Sequence, residues 1–191
     1  MYGQVNDVTL SDEQLMHEVG RGSAQAFEAL YGRYRRRLYN FVLRYLQDEA
    51  LAEDVFQDSF LRLLQAAPRW QSRARVSTWL YRVALNRCID LARRRHEGSL
   101  PAGAAEAIVD PRPDPAAALQ ADEALERLRR EVGRLPPEQR AVLILRVYEA
   151  LGEREVAAIV GCPVGTVKSR LHHALRRLRA RLANGGKHDA A

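Results

Sequence analysis

The 191-residue sequence predicts an all-α protein, two small helical domains joined by a Pro/Ala-rich linker. Three observations lead there. Apolar residues recur at three- and four-residue steps, and no segment shows the alternation of a half-buried strand. Four of the eight prolines (Pro101, Pro111, Pro113, Pro115) fall within residues 97–117, where no packed element fits. Residues 153–182 read as a short helix, a tight turn at Gly161-Cys162-Pro163, and a second, increasingly basic helix.

The elements follow in order. Ser11-Asp12-Glu13-Gln14 is a capping-box start, and Gly20-Arg21-Gly22 ends that first helix. Ser23 caps a second helix, in which Phe27, Leu30, Tyr31, Tyr34, Leu38, Phe41, Val42 and Tyr45 form one apolar stripe. A third runs from about Asp48 to Ala66, burying Val55, Phe56, Phe60, Leu63 and Leu64, and Pro68 stops it. Pro68–Val76 reads as a polar loop, and a fourth helix spans Ser77 to about Arg95, its Arg93-Arg94-Arg95 run suiting a helix C-terminus. Beyond the linker come Ala118–Gly133, Pro137–Tyr148 with proline in its first turn, and the two helices of residues 153–182. The expected domains are 1–96 and 118–185, with linker 97–117 and a disordered tail 186–191.

Composition narrows the partners. The net charge of +6 and pI near 9.7 favour a polyanion. Lys/Arg outnumber Asp/Glu by 15 to 11 over residues 1–96 and by 11 to 5 over 134–191, while 97–133 is acidic at 4 to 8. That pattern suits two DNA-facing modules on a solvated connector. Cys88 and Cys162 form no C-x-x-C pair, and no metal-ligand spacing surrounds His172-His173, so neither zinc nor any other cofactor is expected. No phosphate loop, nucleophile elbow or H-E-x-x-H motif is present, which argues against an enzyme. A basic, apolar leader and a span of about 20 apolar residues are both missing, so a cytoplasmic protein without membrane insertion is expected.

Three constellations carry the functional reading. From Val164 to Ala183 there are six Lys or Arg residues and no acid, so the helix suits phosphates. Its buried stripe would be Val164, Val167, Leu171, Leu175, Leu178 and Leu182, facing Ala157, Ala158 and Ile159. Thr166, Lys168, Ser169, Arg170, His172, His173, Arg176 and Arg177 remain for DNA, the early residues near base edges and the later arginines on phosphates. The second constellation, Asp48 to Asp58, holds five acids and no base; Glu53, Asp54, Gln57, Asp58 and Leu61 share one side and suit water or a protein. In the third, Trp70, Trp79 and Tyr81 alternate with Arg69, Arg73, Arg75, Arg82 and Arg87, a composition suited to stacking on unpaired bases.

In this order the segments resemble a bacterial sigma factor of the extracytoplasmic-function group in the sigma-70 family. Ala52-Glu53-Asp54-Val55-Phe56-Gln57-Asp58-Ser59-Phe60-Leu61 looks like its core-polymerase-binding helix, and Ser77–Asp90 like its promoter-melting helix. Leu135–Arg140 and Pro163–Arg170 look like the opening and the recognition helix of sigma domain 4. The resemblance implies that residues 1–96 are sigma domain 2 and that Glu53, Asp54, Gln57, Asp58 and Leu61 meet core RNA polymerase at its largest-subunit clamp helices. It implies that Arg69, Trp70, Arg75, Ser77, Trp79, Arg82, Asn86 and Arg87 capture the minus-ten element, Asn86 near a flipped base. Arg146, Thr166, Lys168, Ser169, Arg170, His172, His173, Arg176 and Arg177 would read or flank the minus-thirty-five element. Promoter DNA, the polymerase flap and an anti-sigma factor complete the implied partners. Val76 stands where the family often has an aromatic, and Leu151–Glu155 lacks the usual aromatic before its Glu pair.

The alternative is a helix-turn-helix repressor or activator that binds duplex DNA without polymerase. It would leave the acidic helix and the Trp–Arg segment unexplained.

Overall fold

The computed structural model describes residues 10–72, 74–96 and 115–185. Among these it is all helical: α1 (Asp12–Gly20), α2 (Ala24–Leu46), α3 (Glu49–Ala66), α4 (Val76–His96), α5 (Pro115–Gly133), α6 (Pro137–Leu143), α7 (Glu153–Val160) and α8 (Val164–Gly185). A 3₁₀ turn at Ala67–Arg69 follows α3, and a π-helical turn at Ile144–Tyr148 continues α6. Arg73, the tail 186–191 and most of the expected linker lie outside the described residues; α5 begins at Pro115, ahead of the expected Ala118.

Local chemistry sets the boundaries. Ser11 Oγ accepts the Gln14 N–H at 3.2 Å while Gln14 Oε1 accepts the Ser11 N–H at 2.8 Å, so two amides of α1 are satisfied reciprocally. Ser23 and Asp48 cap α2 and α3 by accepting the Ala26 and Leu51 amides. At the far end of α1, Gly20 packs so closely on the Ala67 carbonyl that a Cβ would lie 2.5 Å from its oxygen. Gly161 ends α7 with φ of 73°, a left-handed conformation that glycine adopts without a side-chain penalty.

Helices α1–α4 enclose Leu15, Met16, Leu30, Leu38, Phe41, Leu63, Leu80 and Leu85. Val142, Ile144, Val156, Ile159, Val167, Ala174 and Leu178 form the corresponding interior of α6–α8, and the two interiors belong to one continuous cluster. The expected stripe of α8 is only partly right. Val167 and Leu178 are buried, but Val164, Leu171, Leu175 and Leu182 are half-buried, and the smaller Ala174 is fully buried with Val167. Leu64, expected inside, is exposed.

Helix α4 packs directly on α6 and α7, and α2 on the π turn, where polar groups add to the continuous apolar cluster. Arg140, in α6, donates to the Tyr45 carbonyl at 3.0 Å and to the Gly133 and Leu135 carbonyls, its guanidinium lying over the Tyr45 ring. The Tyr45 hydroxyl donates to the Pro137 carbonyl at 3.3 Å, and Gln47 donates to the Arg129 carbonyl.

Candidate nucleic-acid interface

Helix α8 carries its basic face to solvent because its small and aliphatic residues face α6 and α7. Lys168, Ser169, His172, His173, Arg176 and Arg177 are exposed, while Thr166 and Arg170 are half-buried. Lys168 lies 3.5 Å from Glu153 of α7, Ser169 Oγ donates to the Thr166 carbonyl, and Arg176 lies 3.3 Å from His173 Nδ1. These are surface contacts, each worth at most about 1 kcal/mol, so polyanion binding can displace them.

Two basic residues of this module are committed elsewhere. Arg146 donates to the Leu151 carbonyl, holding the turn that leads into α7. Arg181, expected among the phosphate-binding arginines, lies 3.5 Å from Glu131 and 3.3 Å from the Arg134 carbonyl, joining α8 to α5.

The second basic region lies at the start of α4. Trp70 and Trp79 meet edge to face with ring centroids 5.8 Å apart, both half-buried against the core. Trp70 Nε1 is buried without a hydrogen-bond partner. Arg69, Arg75, Arg82 and Asn86 are exposed, and Ser77 and Arg87 half-buried.

One expectation fails here. Tyr81 is enclosed, its hydroxyl donating to Glu149 at 2.8 Å, so it offers no ring to a base. Acids also border this face. Arg75 lies 3.2 Å from Glu155 of α7, and Glu13 accepts the Val76 N–H at 3.4 Å. Arg82 donates to the Ala158 carbonyl, so α7 covers part of this face.

Glu149 was not legible in the sequence. It caps the π turn, is 5% exposed, and receives Tyr81 of α4 together with Arg37 Nε at 3.5 Å and Arg44 Nη1 at 3.6 Å from α2. Arg37 also donates to the Glu149 carbonyl at 2.9 Å.

The acidic face of α3 points away from all of this, since α3 packs on α1, α2, α4 and the 3₁₀ turn. Glu53, Asp54 and Gln57 are exposed, Asp58 is half-buried, and Leu61 is 57% exposed beside the exposed Leu64. Gln57 donates to Glu53 at 3.0 Å. Asp48 departs from the expectation: it is buried as the cap of α3 and contributes nothing to the exposed face.

Cys88 is fully enclosed, and burial pushes its thiol well above the ordinary range. Among the described residues no cluster of His, Cys, Asp or Glu could hold a metal ion, and no helix is long and apolar enough to cross a membrane.

Comparison with known proteins supplies the context. Residues 30–97 match sigma-70 region 2 and residues 125–178 match sigma-70 region 4. The chain is 31% identical to the RNA polymerase sigma-H factor of Pseudomonas aeruginosa over 173 residues, 85% of this chain and 89% of that protein. It is 31% identical over 174 residues to the ECF RNA polymerase sigma-E factor of Salmonella typhimurium, covering 86% and 91%. Among solved structures, CnrH in complex with the cytosolic domain of CnrY superimposes with a TM-score of 0.70 at 25% identity, covering 91% of this chain and 97% of that one. A stand-alone repressor would leave the region 2 match without a role. The chain belongs to the sigma-70 family, as a sigma factor of the extracytoplasmic-function group acting in transcription initiation.

Proposed function

We propose that this protein binds core RNA polymerase through the acidic face of α3 and directs it to promoters by reading two elements. Glu53, Asp54, Gln57, Asp58 and Leu61 make the contact with the clamp helices of the largest subunit. Arg69, Trp70, Arg75, Ser77, Trp79, Arg82, Asn86 and Arg87 bind the unpaired minus-ten strand, and Thr166, Lys168, Ser169, Arg170, His172, His173, Arg176 and Arg177 bind the minus-thirty-five duplex. Arg146 supports that duplex contact by holding the turn before α7. The observation that carries the reading is the opposite polarity of two exposed faces on one chain, acidic on α3 and basic on α8.

Charge separation of this kind keeps the polymerase contact off the DNA, whose phosphates repel Glu53 and Asp54 and attract Lys168 and Arg176. The protein works by binding and strand separation in the cytoplasm, without covalent chemistry. An anti-sigma protein is its further partner; the similar CnrH was solved with a protein segment bound.

Genomic fragments captured by purified core polymerase, with and without the protein, test the reading. The protein should enrich a small set of fragments sharing two spaced elements, and only when polymerase is present. Equal enrichment without polymerase would return the reading to a stand-alone regulator.

A further inference from the structure

We propose that α1 is the template of the loop that reads the minus-ten strand: Glu13, His17 and Gly20, on one face of α1, set the shape of residues 67–76 and so the base preference of Arg69, Trp70 and Arg75. The inference rests on the minus-ten reading of that loop and adds positioning residues that lie outside it. Helix α1 precedes residues 30–97, the part of the chain that matches sigma-70 region 2.

Three contacts run in register along the loop. Gly20 packs on the Ala67 carbonyl so closely that no Cβ would fit. His17 Nε2 lies 3.5 Å from Ser72 Oγ, and Glu13 accepts the Val76 N–H at 3.4 Å. Residues 13, 17 and 20 are spaced by four and three, so they share one face, while Leu15, Met16 and Val19 bury an adjoining face in the core. Helix and loop therefore run antiparallel. Past the 3₁₀ turn at Ala67–Arg69 the described loop residues are neither helix nor strand, and such a segment takes its conformation from the scaffold it lies on. That scaffold is firmly held. Asp12 is gripped by Arg33 of α2 at 2.6 Å and by the Tyr34 hydroxyl, and Ser77 of α4 hydrogen-bonds the same phenol.

The start of α4 shows why an acceptor comes from α1. The Trp79 N–H donates to the Arg75 carbonyl at 3.0 Å, which puts Arg75 at the cap position. That position ordinarily holds Ser, Thr, Asp or Asn, whose side-chain oxygen accepts an amide of the first turn. An arginine has no acceptor and cannot serve. Glu13 supplies one from a separate helix, and its negative charge suits a helix N-terminus. The cap position is thereby released to carry an exposed cation at the edge of the minus-ten face. Trp70, in the loop, meets Trp79, in α4, with ring centroids 5.8 Å apart. A loop that slides on α1 therefore moves that ring and the arginines on either side of it together.

The test takes the full-length protein with core polymerase and captures fragments from a promoter library randomised at the minus-ten and minus-thirty-five elements. Tryptophan emission of the free protein is recorded alongside. Glu13→Ala should flatten the minus-ten preference about tenfold and shift the emission, with the minus-thirty-five preference and helical content unchanged. Glu13→Gln keeps an acceptor oxygen and should retain the wild-type preference. His17→Ala, at an exposed position, should move both readouts as Glu13→Ala does but by less, and it decides the matter if Glu13→Ala fails to fold. An unchanged minus-ten preference in Glu13→Ala, an equal loss at both elements, or no rescue by glutamine would each overturn the template. A wild-type protein without any minus-ten preference would overturn the promoter reading and the template's role in it together. A wild-type preference that the variants keep would overturn the template alone.

Discussion

Arg62 Nε lies 2.8 Å from the Asp58 carboxylate, one turn along α3, and so ties down one acid of the exposed face that Glu53 and Asp54 share. The pair is exposed and worth at most about 1 kcal/mol. Charge reversal at Asp54 or Asp58 should weaken binding to core polymerase at least about tenfold in a pull-down or anisotropy titration. Arg62→Ala should leave that affinity unchanged or raise it. Lys168→Ala and His172→Ala should not alter it; equal loss in both sets would end the division of labour between α3 and α8.

Alkaline pH should unfold this protein through its tyrosines. Burial pushes the phenols of Tyr34, Tyr45 and Tyr81 above their ordinary range, reinforced by Asp12 at Tyr34 and by Glu149 at Tyr81. Unfolded tyrosines lose their protons near pH ~10. Above that pH the native state therefore holds more protons than the unfolded one, and stability falls as pH rises. Absorbance at about 295 nm should show exposed tyrosines titrating first and these three only together with loss of helicity. Free titration of all seven tyrosines in the folded protein would contradict the enclosure.

Two glycines should respond to alanine with opposite signs. Alanine is the better helix former by about 1 kcal/mol. Gly32 lies exposed in mid-α2 with nothing within 4 Å of an added Cβ, so Gly32→Ala should stabilise by roughly that amount. At Gly20 the added Cβ would meet the Ala67 oxygen at 2.5 Å, and this backbone cannot swing aside as a side chain could. Gly20→Ala should cost about 1–3 kcal/mol, read as a lower urea midpoint at constant slope.

The thiols should separate cleanly by reactivity. Cys88 is enclosed between helices, whereas Cys162 sits half-buried in the turn between α7 and α8. A thiol-specific reagent should modify one cysteine in the native protein and both after denaturation. Mass mapping should assign the native adduct to Cys162.

The helices were readable because their signals are local. Ser11, Gln14, Ser23 and Asp48 act within one turn of themselves, and the apolar stripe of α2 repeats every three or four residues. Asp48 also shows the limit, since a capping acid and a surface acid look alike until burial is known. Tyr81 and Glu149 are 68 positions apart, and neither has a spacing that betrays the other. Arg181 likewise reads as a phosphate ligand until α5 brings Glu131 beside it. Long-range polar pairing leaves no periodic trace, so contacts between the two halves were the part the sequence withheld.

The π turn at Ile144–Tyr148 bonds the Glu149 amide to the Ile144 carbonyl, five residues back at 3.1 Å. A regular helix bonds four residues back and rotates about 100° per residue. The extra residue thus sets the angular phase at which Glu149 meets α2 and α4. Loss of one codon here would swing the carboxylate roughly a quarter turn away, yet leave the helix pair beyond Gly152 able to fold. The mutual orientation of the two halves is in this way inheritable on its own: lineages can retune it at a single turn without altering any residue of α3 or α8.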